Sequence, residues 1–588
     1  MCILRKKTMN KAIFPILLVS LFLNLFALDF GLPSEERLEM AFSGKEDIKI
    51  KEGEIRKVME KGTWRRSEFA GGEDRKEMAD WTHYFDLMRT YHPDEQYTLK
   101  MLANMNPKKF DFNPKNFVYM PFYSYQIGFG IALGALLKYV HLTKDMFYYL
   151  LNPEEFARMY LAGRMVVSLL GTGIIFLIYL IGCSLFSKGV GLLSAATMSV
   201  IPLFVSISHF IKPDVPCLFW SMMAFLFITY LYKSGRLKWY ILSGIFIGLA
   251  SGSKHYGIFL IVPLSLAHML FLRDTGKFRP GNIFSREIFF SFISILFAFF
   301  CASPYILTDF DRFLRDVTWL KGAVSIDCNF RNICDLSFYY VISGFQYVFS
   351  PGIFMLFILS FFAKLKEREG RYLLLLAPVF LYFILILFSA NRSIEYALPA
   401  FPLLSILSAS FVLEGTKRSE IKSAVPGLKL TFSILAILLA FVYSAGYVYS
   451  MKFADVRMDA SRWIADNIKP DSSLGVEKYP VIYRMPSLNP GKYRIATINS
   501  LDDDRISRID YFISSSFEWK FFGFHDYLGR ESLREDLGAK LVESGKFRIL
   551  KRFETMPSVL GIKMTKDYQL CGTLETIFPA FIVLERVE

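Results

Sequence analysis

Residues Ser208 to Lys238, SHFIKPDVPCLFWSMMAFLFITYLYKSGRLK, decide the fold. The stretch opens on polar and helix-breaking residues: His209, Lys212, Pro213, Asp214 and Pro216. From Val215 to Tyr232 no charge interrupts the apolar run, and then Lys233, Arg236 and Lys238 follow closely. A run of about 20 mostly apolar residues crosses the hydrocarbon of a bilayer, and Lys and Arg gather in its cytoplasmic loops. The stretch therefore reads as one membrane span, its basic end inside and its SHFIKPD end outside.

The composition agrees. Of 588 residues, 53% are hydrophobic and 59 are Phe, yet 21% are charged, so the chain combines lipid-buried helices with aqueous parts. Ordinary soluble domains are less apolar, and disordered chains far less so. The net charge of +14 could suggest nucleic acid, but basic cytoplasmic loops account for it, and no nucleic-acid partner is expected. The seven cysteines are scattered without a paired CxxC pattern, so no zinc or redox site is read from them. Only Cys328 and Cys334 lie close together in a polar stretch, where they could form a local disulfide if that loop is outside.

Further spans follow outward from the quoted one. They are 12–28, 159–181, 190–210, 239–251, 256–272, 287–302, 340–362, 373–389, 396–413 and 430–449. Basic clusters fix their sides: Lys233 to Lys238, Arg273 to Arg286, Lys364 to Arg371 and Lys417 to Lys429. Two spans separate each cluster from the next, as a shared cytoplasmic side demands. Counting back puts Lys188 inside, so span 159–181 enters from outside, which leaves no room for Phe117 to Val140 as a crossing. That aromatic stretch is expected to lie along the outer interface or to re-enter. The first run follows Arg5, Lys6, Lys7 and Lys11 and lacks a small-residue cleavage site, favouring a retained helix over a signal peptide. The expectation is about 11 spans in the cell (plasma or inner) membrane, with the N-terminus cytoplasmic. A soluble α+β domain, residues 451–588, follows outside, with a helix near 460–467 and strands near 511–514, 547–550 and 581–584.

With sides assigned, charged and aromatic groups collect at the outer ends of spans. They are Asp94 and Glu95 of the first loop, Arg164, His209, Lys212, Asp214, Lys254, His255, Tyr305, Arg392 and Tyr396. Charges near lipid depth are costly and face a cavity or a partner. Each has a plainer reading: a solvated acidic pair, snorkelling cations, structural histidines without metal-ligand spacing. Their convergence on one face is what suggests an outer cavity. There, cations would neutralise a lipid-borne phosphate and a carboxylate would act as a base.

These features, taken in order, resemble the membrane glycosyltransferases that use polyprenyl-phosphate sugars, the protein O-mannosyltransferase and aminoarabinose-transferase group. The order is Gly31-Leu32-Pro33, the HPDE of His92 to Glu95, FVYMPFYSY at 117–125, and Ala157-Arg158. SHFIKPDVP at 208–216, GLASGSKHYG at 248–257 and SPYILTDF at 303–310 come next, then EYALPAFPLL at 395–404 and ASRWIADNI at 460–468. The resemblance implies a GT-C fold: a catalytic region 1–450, whose external loop 29–158 carries juxtamembrane helices, then the 451–588 domain. It also implies Asp94 as catalytic base and Asp214 as a second acidic residue of the same cavity. Where the mannosyltransferases place a phosphate-contacting lysine near the aromatic stretch, this chain has Tyr119, Met120 and Pro121, so Lys254 or Arg392 is expected to substitute.

The implied reaction is transfer of a hexose or pentose from a polyprenyl-phosphate carrier to an acceptor hydroxyl on a glycan, lipid or protein. One base serves an inverting displacement; Asp94 takes the proton, and Glu95 or Asp214 orients the acceptor. Cations stabilise the departing phosphate. No cofactor is required; a divalent metal on Asp94 and Asp214 is left open. The alternatives are a flippase for lipid-linked sugars, which should show repeated broken helices in two halves, and a non-catalytic membrane scaffold.

Overall fold

The computed structural model describes residues 10–42, 44–60, 87–323, 349–387, 394–414, 425–477, 482–498, 500–517, 537–555, 558–559, 562–563 and 577–587. In hydrocarbon every backbone polar group must be satisfied within the segment, so apolar runs coil into helices. Each of the eleven expected stretches carries one in its described part. They are Ile13–Leu25, Pro153–Leu185, Lys188–Ser199, Asp214–Ser234, Leu237–Ser253, Ile261–Asp274, Arg286–Ala302, Pro351–Lys364, Gly370–Leu387, Phe401–Glu414 and Val425–Phe453. Seven described helices are long and apolar enough to cross a membrane, and Ile13–Leu25 and Pro351–Lys364 are shorter apolar ones. The protein is a polytopic helical membrane protein. The aromatic stretch after Phe117 forms a helix of 16 residues, Pro121–Leu136, shorter than the about 20 that a span needs.

Two compact units divide the chain. One comprises Met1–Leu28, Tyr97–Gly130 and Arg164–Val448; the other comprises Asp29–Gln96, Ile131–Gly163 and Tyr449–Glu588.

In the helical unit, one packing device is written in the sequence. Gly244, Gly248 and Gly252 recur every fourth residue and so line one face of Leu237–Ser253. That face meets Arg286–Ala302: a Cβ on Gly244 would lie 2.4 Å from the Ser291 carbonyl oxygen, and one on Gly248 2.6 Å from that of Ile295. Small residues let helix backbones approach where no hydrophobic effect drives them together. One expected span departs from a continuous helix. The 190–210 stretch breaks after Ser199, and a short helix, Pro202–Ile207, restarts at its proline, because proline has no N–H for the preceding turn but suits a first helical position.

The second unit contains a five-stranded sheet of order β2-β1-β3-β5-β4. Its strands are β1 (Ser473–Val476), β2 (Arg494–Thr497), β3 (Tyr511–Ser515), β4 (Phe547–Glu554) and β5 (Ala580–Arg586). β1 pairs in parallel with β2 and β3, while β5 runs antiparallel between β3 and β4. Both faces are covered. Val456, Ala460 and Ile464, one face of the helix Val456–Asn467, pack with Leu474, Val476, Ile513, Phe581 and Val583. Phe512 and Leu584 join Ile506, Leu541 and Phe547 on the other side. This explains why Phe581 to Leu584 reads as an unbroken apolar run instead of alternating.

Asp29–Gln96 and Ile131–Gly163 of the first loop group with this sheet domain. The contacts are specific: Arg462 of the domain's first helix pairs with Glu36 of Glu35–Ala41, and Tyr91 donates to Asp455 at 2.7 Å. Within the loop, Arg56 pairs with Asp145 at 3.1 Å. The helices expected there are present, including Lys45–Ile50, Glu52–Glu60, Pro93–Ala103 and Met146–Leu151.

Candidate functional site

In the helical unit the charges gather where helices are interrupted. The turn after Pro202–Ile207 carries Lys212. The residue between Leu237–Ser253 and the 3-10 turn His255–Leu260 is Lys254, and a second 3-10 turn, Ile394–Ala400, carries Glu395 and Tyr396. Irregular backbone at membrane depth persists only where protein buries it or water reaches it.

Two ion pairs connect these interruptions. Lys212 Nζ donates to Glu395 Oε2, and both side chains are buried. Lys254 Nζ donates to Asp214 Oδ1 at 2.8 Å, with Asp214 buried and Lys254 mostly so. The Lys254 ammonium also lies over the rings of Tyr256 (5.3 Å) and Tyr396 (5.7 Å), a placement that the π-face favours for a cation. Tyr256 donates to the Asp214 carbonyl at 3.3 Å and meets Tyr382 edge-on. The two lysine–carboxylate pairs form a quartet able to accept an anionic group, since a phosphate offers each ammonium an equivalent partner.

Other expected residues of this unit have main-chain partners. Buried Arg164 donates to the Leu28 carbonyl at 2.6 Å and lies 5.2 Å from the Phe210 ring centre. Both ring nitrogens of His209 meet carbonyls, those of Val205 and Phe26, at 2.7 Å. Half-buried His255 is the exception: its Nε2 is buried without a hydrogen-bond partner among the described residues. The Tyr305 hydroxyl accepts from Phe112 N at 2.8 Å and donates to Phe110 O at 3.3 Å. Arg392 lies outside the described residues, as do Cys328 and Cys334.

In the other unit, HPDE begins a helix. Pro93 and the two acids occupy the first turn of Pro93–Ala103, where proline fits and negative charge meets the helix dipole favourably. His92 Nδ1 accepts from Asp94 N at 3.2 Å, and the His92 carbonyl accepts from Glu95 N at 3.3 Å. The acids differ in surroundings: Glu95 is fully buried and accepts from the Thr90 hydroxyl, whereas Asp94 is half-buried. Among the described residues no three His, Cys, Asp or Glu side chains are grouped to hold a metal ion.

Sequence reasoning missed Glu395, a member of the quartet, and Tyr256, which borders it. Both carry the signal that singled out Lys212 and Tyr396, a polar group at the end of an apolar run, and both adjoin residues already chosen.

Residues 156–307 match the family model described as dolichyl-phosphate-mannose-protein mannosyltransferase. Over that segment the chain is similar to the mannosyltransferase family. The matched region holds Arg164, His209, Lys212, Asp214, Lys254, His255 and Tyr305; Asp94, Glu95, Arg392 and Tyr396 fall outside it. Among solved structures, the chain is similar to ArnT from Cupriavidus metallidurans in the apo state. Identity there is 11%, with 80% of this chain and 88% of that chain covered, at a TM-score of 0.42. It is also similar to the oligosaccharyltransferase AglB from Archaeoglobus fulgidus in complex with an inhibitory peptide and a dolichol-phosphate, at 14% identity, 70% and 63% coverage and a TM-score of 0.37. The chain thus spans under two thirds of that archaeal protein's length. A comparison with curated proteins finds no match.

Proposed function

We propose that this GT-C-type protein transfers a sugar from a polyprenyl-phosphate carrier to an acceptor hydroxyl on the extracytoplasmic side of the cell membrane, with inversion at the anomeric carbon. The observation that carries the reading is the buried quartet Lys212–Glu395 and Lys254–Asp214, three of whose members lie in the family-matched segment. In this reading Lys212 and Lys254 hold the donor phosphate and, as the bond to the anomeric carbon breaks, stabilise the charge left on the departing lipid phosphate. Tyr256 and Tyr396 flank Lys254 and fix its direction. Asp94 accepts the proton of the attacking hydroxyl. Glu95, committed to Thr90, supports the helix start; Arg164, His209 and Tyr305, bonded to main chain, serve as scaffold.

The test compares the surface glycans of cells with and without the protein by mass spectrometry, and repeats the comparison with Asp94→Asn. A glycan species that disappears with the protein, and again with Asp94→Asn at normal membrane insertion, is the expected result. Unchanged glycans on deletion would remove the transferase reading, and a flippase or scaffold, which needs no base, would leave the glycan at its wild-type level in Asp94→Asn.

A further inference from the structure

Tyr91, immediately before HPDE, is held from every side within the second unit. Its ring lies between two guanidinium groups, Arg37 at 4.5 Å and Arg457 at 4.3 Å from the ring centre. Its N–H donates to the Gly31 carbonyl at 3.1 Å. Gly31 adopts φ +63°, and a Cβ there would fall 2.3 Å from Tyr91 Cδ2, so glycine is required for this approach. Its hydroxyl donates to Asp455 Oδ2 at 2.7 Å. Burial, and then the Asp455 carboxylate, raise the pKa of this hydroxyl well above its ordinary value, so it stays a donor. Asp455 in turn uses its other oxygen, Oδ1, to cap the helix Val456–Asn467 through Arg457 N and Met458 N.

We propose that the Tyr91–Asp455 hydrogen bond is a clasp by which the C-terminal segment positions Asp94, making both positioning residues of the transfer reaction. The proposal rests on the function given above. Tyr91 is three residues from Asp94, and the links between them are short: the backbone passes to His92, whose Nδ1 receives the Asp94 N–H, and Thr90 on the other side of Tyr91 anchors Glu95. A base must stand within hydrogen-bond reach of the proton it takes, and a displacement of about 1 Å can cost on the order of 100-fold in rate. The sequence-distant Asp455 therefore does two jobs with one carboxylate: it starts its own helix and fixes the segment that presents the base. The sheet domain is in this view part of the catalytic apparatus and not an appendage.

The experiment uses the full chain in cells and reads the glycan that Asp94→Asn abolishes, per inserted copy of protein. Tyr91→Phe deletes the hydroxyl. Asp455→Ser keeps an N-cap but loses the second oxygen, and Asp455→Asn keeps both the cap and a group that can bond the hydroxyl. The expected result is a loss of tenfold or more in Tyr91→Phe and in Asp455→Ser, no further loss when they are combined, and transfer within threefold of wild type in Asp455→Asn. In purified full-length protein, amide exchange across residues 87–96 should rise at least fivefold in the first two variants, with thermal midpoints close to wild type. Transfer within twofold of wild type in Tyr91→Phe or Asp455→Ser overturns the clasp, as does a multiplicative loss in the double variant or an Asp455→Asn as impaired as Asp455→Ser. If either variant fails to accumulate, the contrast between the serine and asparagine substitutions, or Tyr91→Phe alone, still decides. Should Asp94→Asn itself leave glycans intact, the transferase reading fails and the clasp's purpose with it; a clasp failure beside an inactive Asp94→Asn leaves that reading standing.

Discussion

Asp214 Oδ1 accepts from Lys254 Nζ at 2.8 Å, and the two residues stand side by side at the open end of a helical hairpin. Asp214 is the first residue of Asp214–Ser234, and Lys254 directly follows the last of Leu237–Ser253. A carboxylate at a helix N-terminus and an ammonium at a C-terminus each complement the helix dipole, so the bond joins two favourable placements and fastens the hairpin's open end. Gly235, in the left-handed region at φ +59°, closes the other end.

Structure and chemistry separate at this pair. Lys254→Met leaves Asp214 buried without its ammonium partner, and breaking a buried pair by removing one partner costs about 3 kcal/mol or more. Thermal unfolding of the solubilised protein should therefore show a clearly lower midpoint. The double variant Asp214→Asn/Lys254→Gln removes both charges together and should recover most of that midpoint. Glycan transfer should nevertheless stay below about a hundredth of wild type in the double variant, since the phosphate-holding ammonium is still missing. Recovery of transfer along with stability would make the pair purely structural.

The two neighbouring acids of HPDE should behave differently. Asp94→Asn removes the proposed base, whose contribution is typically 100- to 10,000-fold or about that range, and should reduce transfer accordingly at normal insertion. Glu95→Gln keeps an acceptor for the Thr90 hydroxyl at a buried position, so a loss of less than about tenfold is expected. Quantifying the missing glycan in the two variants checks this; an inactive Glu95→Gln beside an active Asp94→Asn would exchange their roles.

Much of this was legible in the sequence for a physical reason. A span has one dominant requirement, about 20 apolar residues, and basic clusters such as Lys233 to Lys238 mark its ends. Hence all eleven stretches carry helices in their described parts. The strands at Tyr511, Phe547 and Phe581 were also visible, since β-branched and aromatic runs favour extended chain. β1 and β2 were not: four residues each, with Gly475 inside β1, they lack the length for a pattern, and parallel pairing is a long-range property. The break at Pro202 had a local signal in the proline itself, submerged by the apolar residues around it. At the site, the residue types were readable but not their pairing. Nothing local says that Lys212 meets Glu395 across 183 residues, or that Glu95 turns toward Thr90 while Asp94 stays half-buried.

The glycine face gives a prediction independent of function. Gly248→Ala places a methyl 2.6 Å from the Ile295 carbonyl oxygen, where backbone, not a flexible side chain, must yield. Overpacking of this kind costs about 1–3 kcal/mol, so the solubilised protein should melt several degrees lower. Gly281→Ala, with nothing within 4 Å of the added carbon, is the matched control and should melt as wild type does. Equal midpoints for both would mean that Leu237–Ser253 and Arg286–Ala302 do not pack through this face.

Sidedness is the remaining inference from charge, and it can be tested residue by residue. The described helices keep the spacing that the charge pattern requires: Leu237–Ser253 and Ile261–Asp274 separate the first two basic clusters, and Arg286–Ala302 and Pro351–Lys364 the second and third. If Lys and Arg mark the cytoplasmic side, Lys366, exposed in the third cluster, faces the cytoplasm, and Lys469, exposed beyond the last span, faces outward. In a variant whose native cysteines are replaced, Lys469→Cys should react with a membrane-impermeant maleimide applied to intact cells. Lys366→Cys should react only after the membrane is opened. Labelling of Lys366→Cys in intact cells would invert the arrangement and put the basic loops outside. Protection of Lys469→Cys would place the sheet domain inside, where a base carried by the same unit could not serve an acceptor on the outer surface.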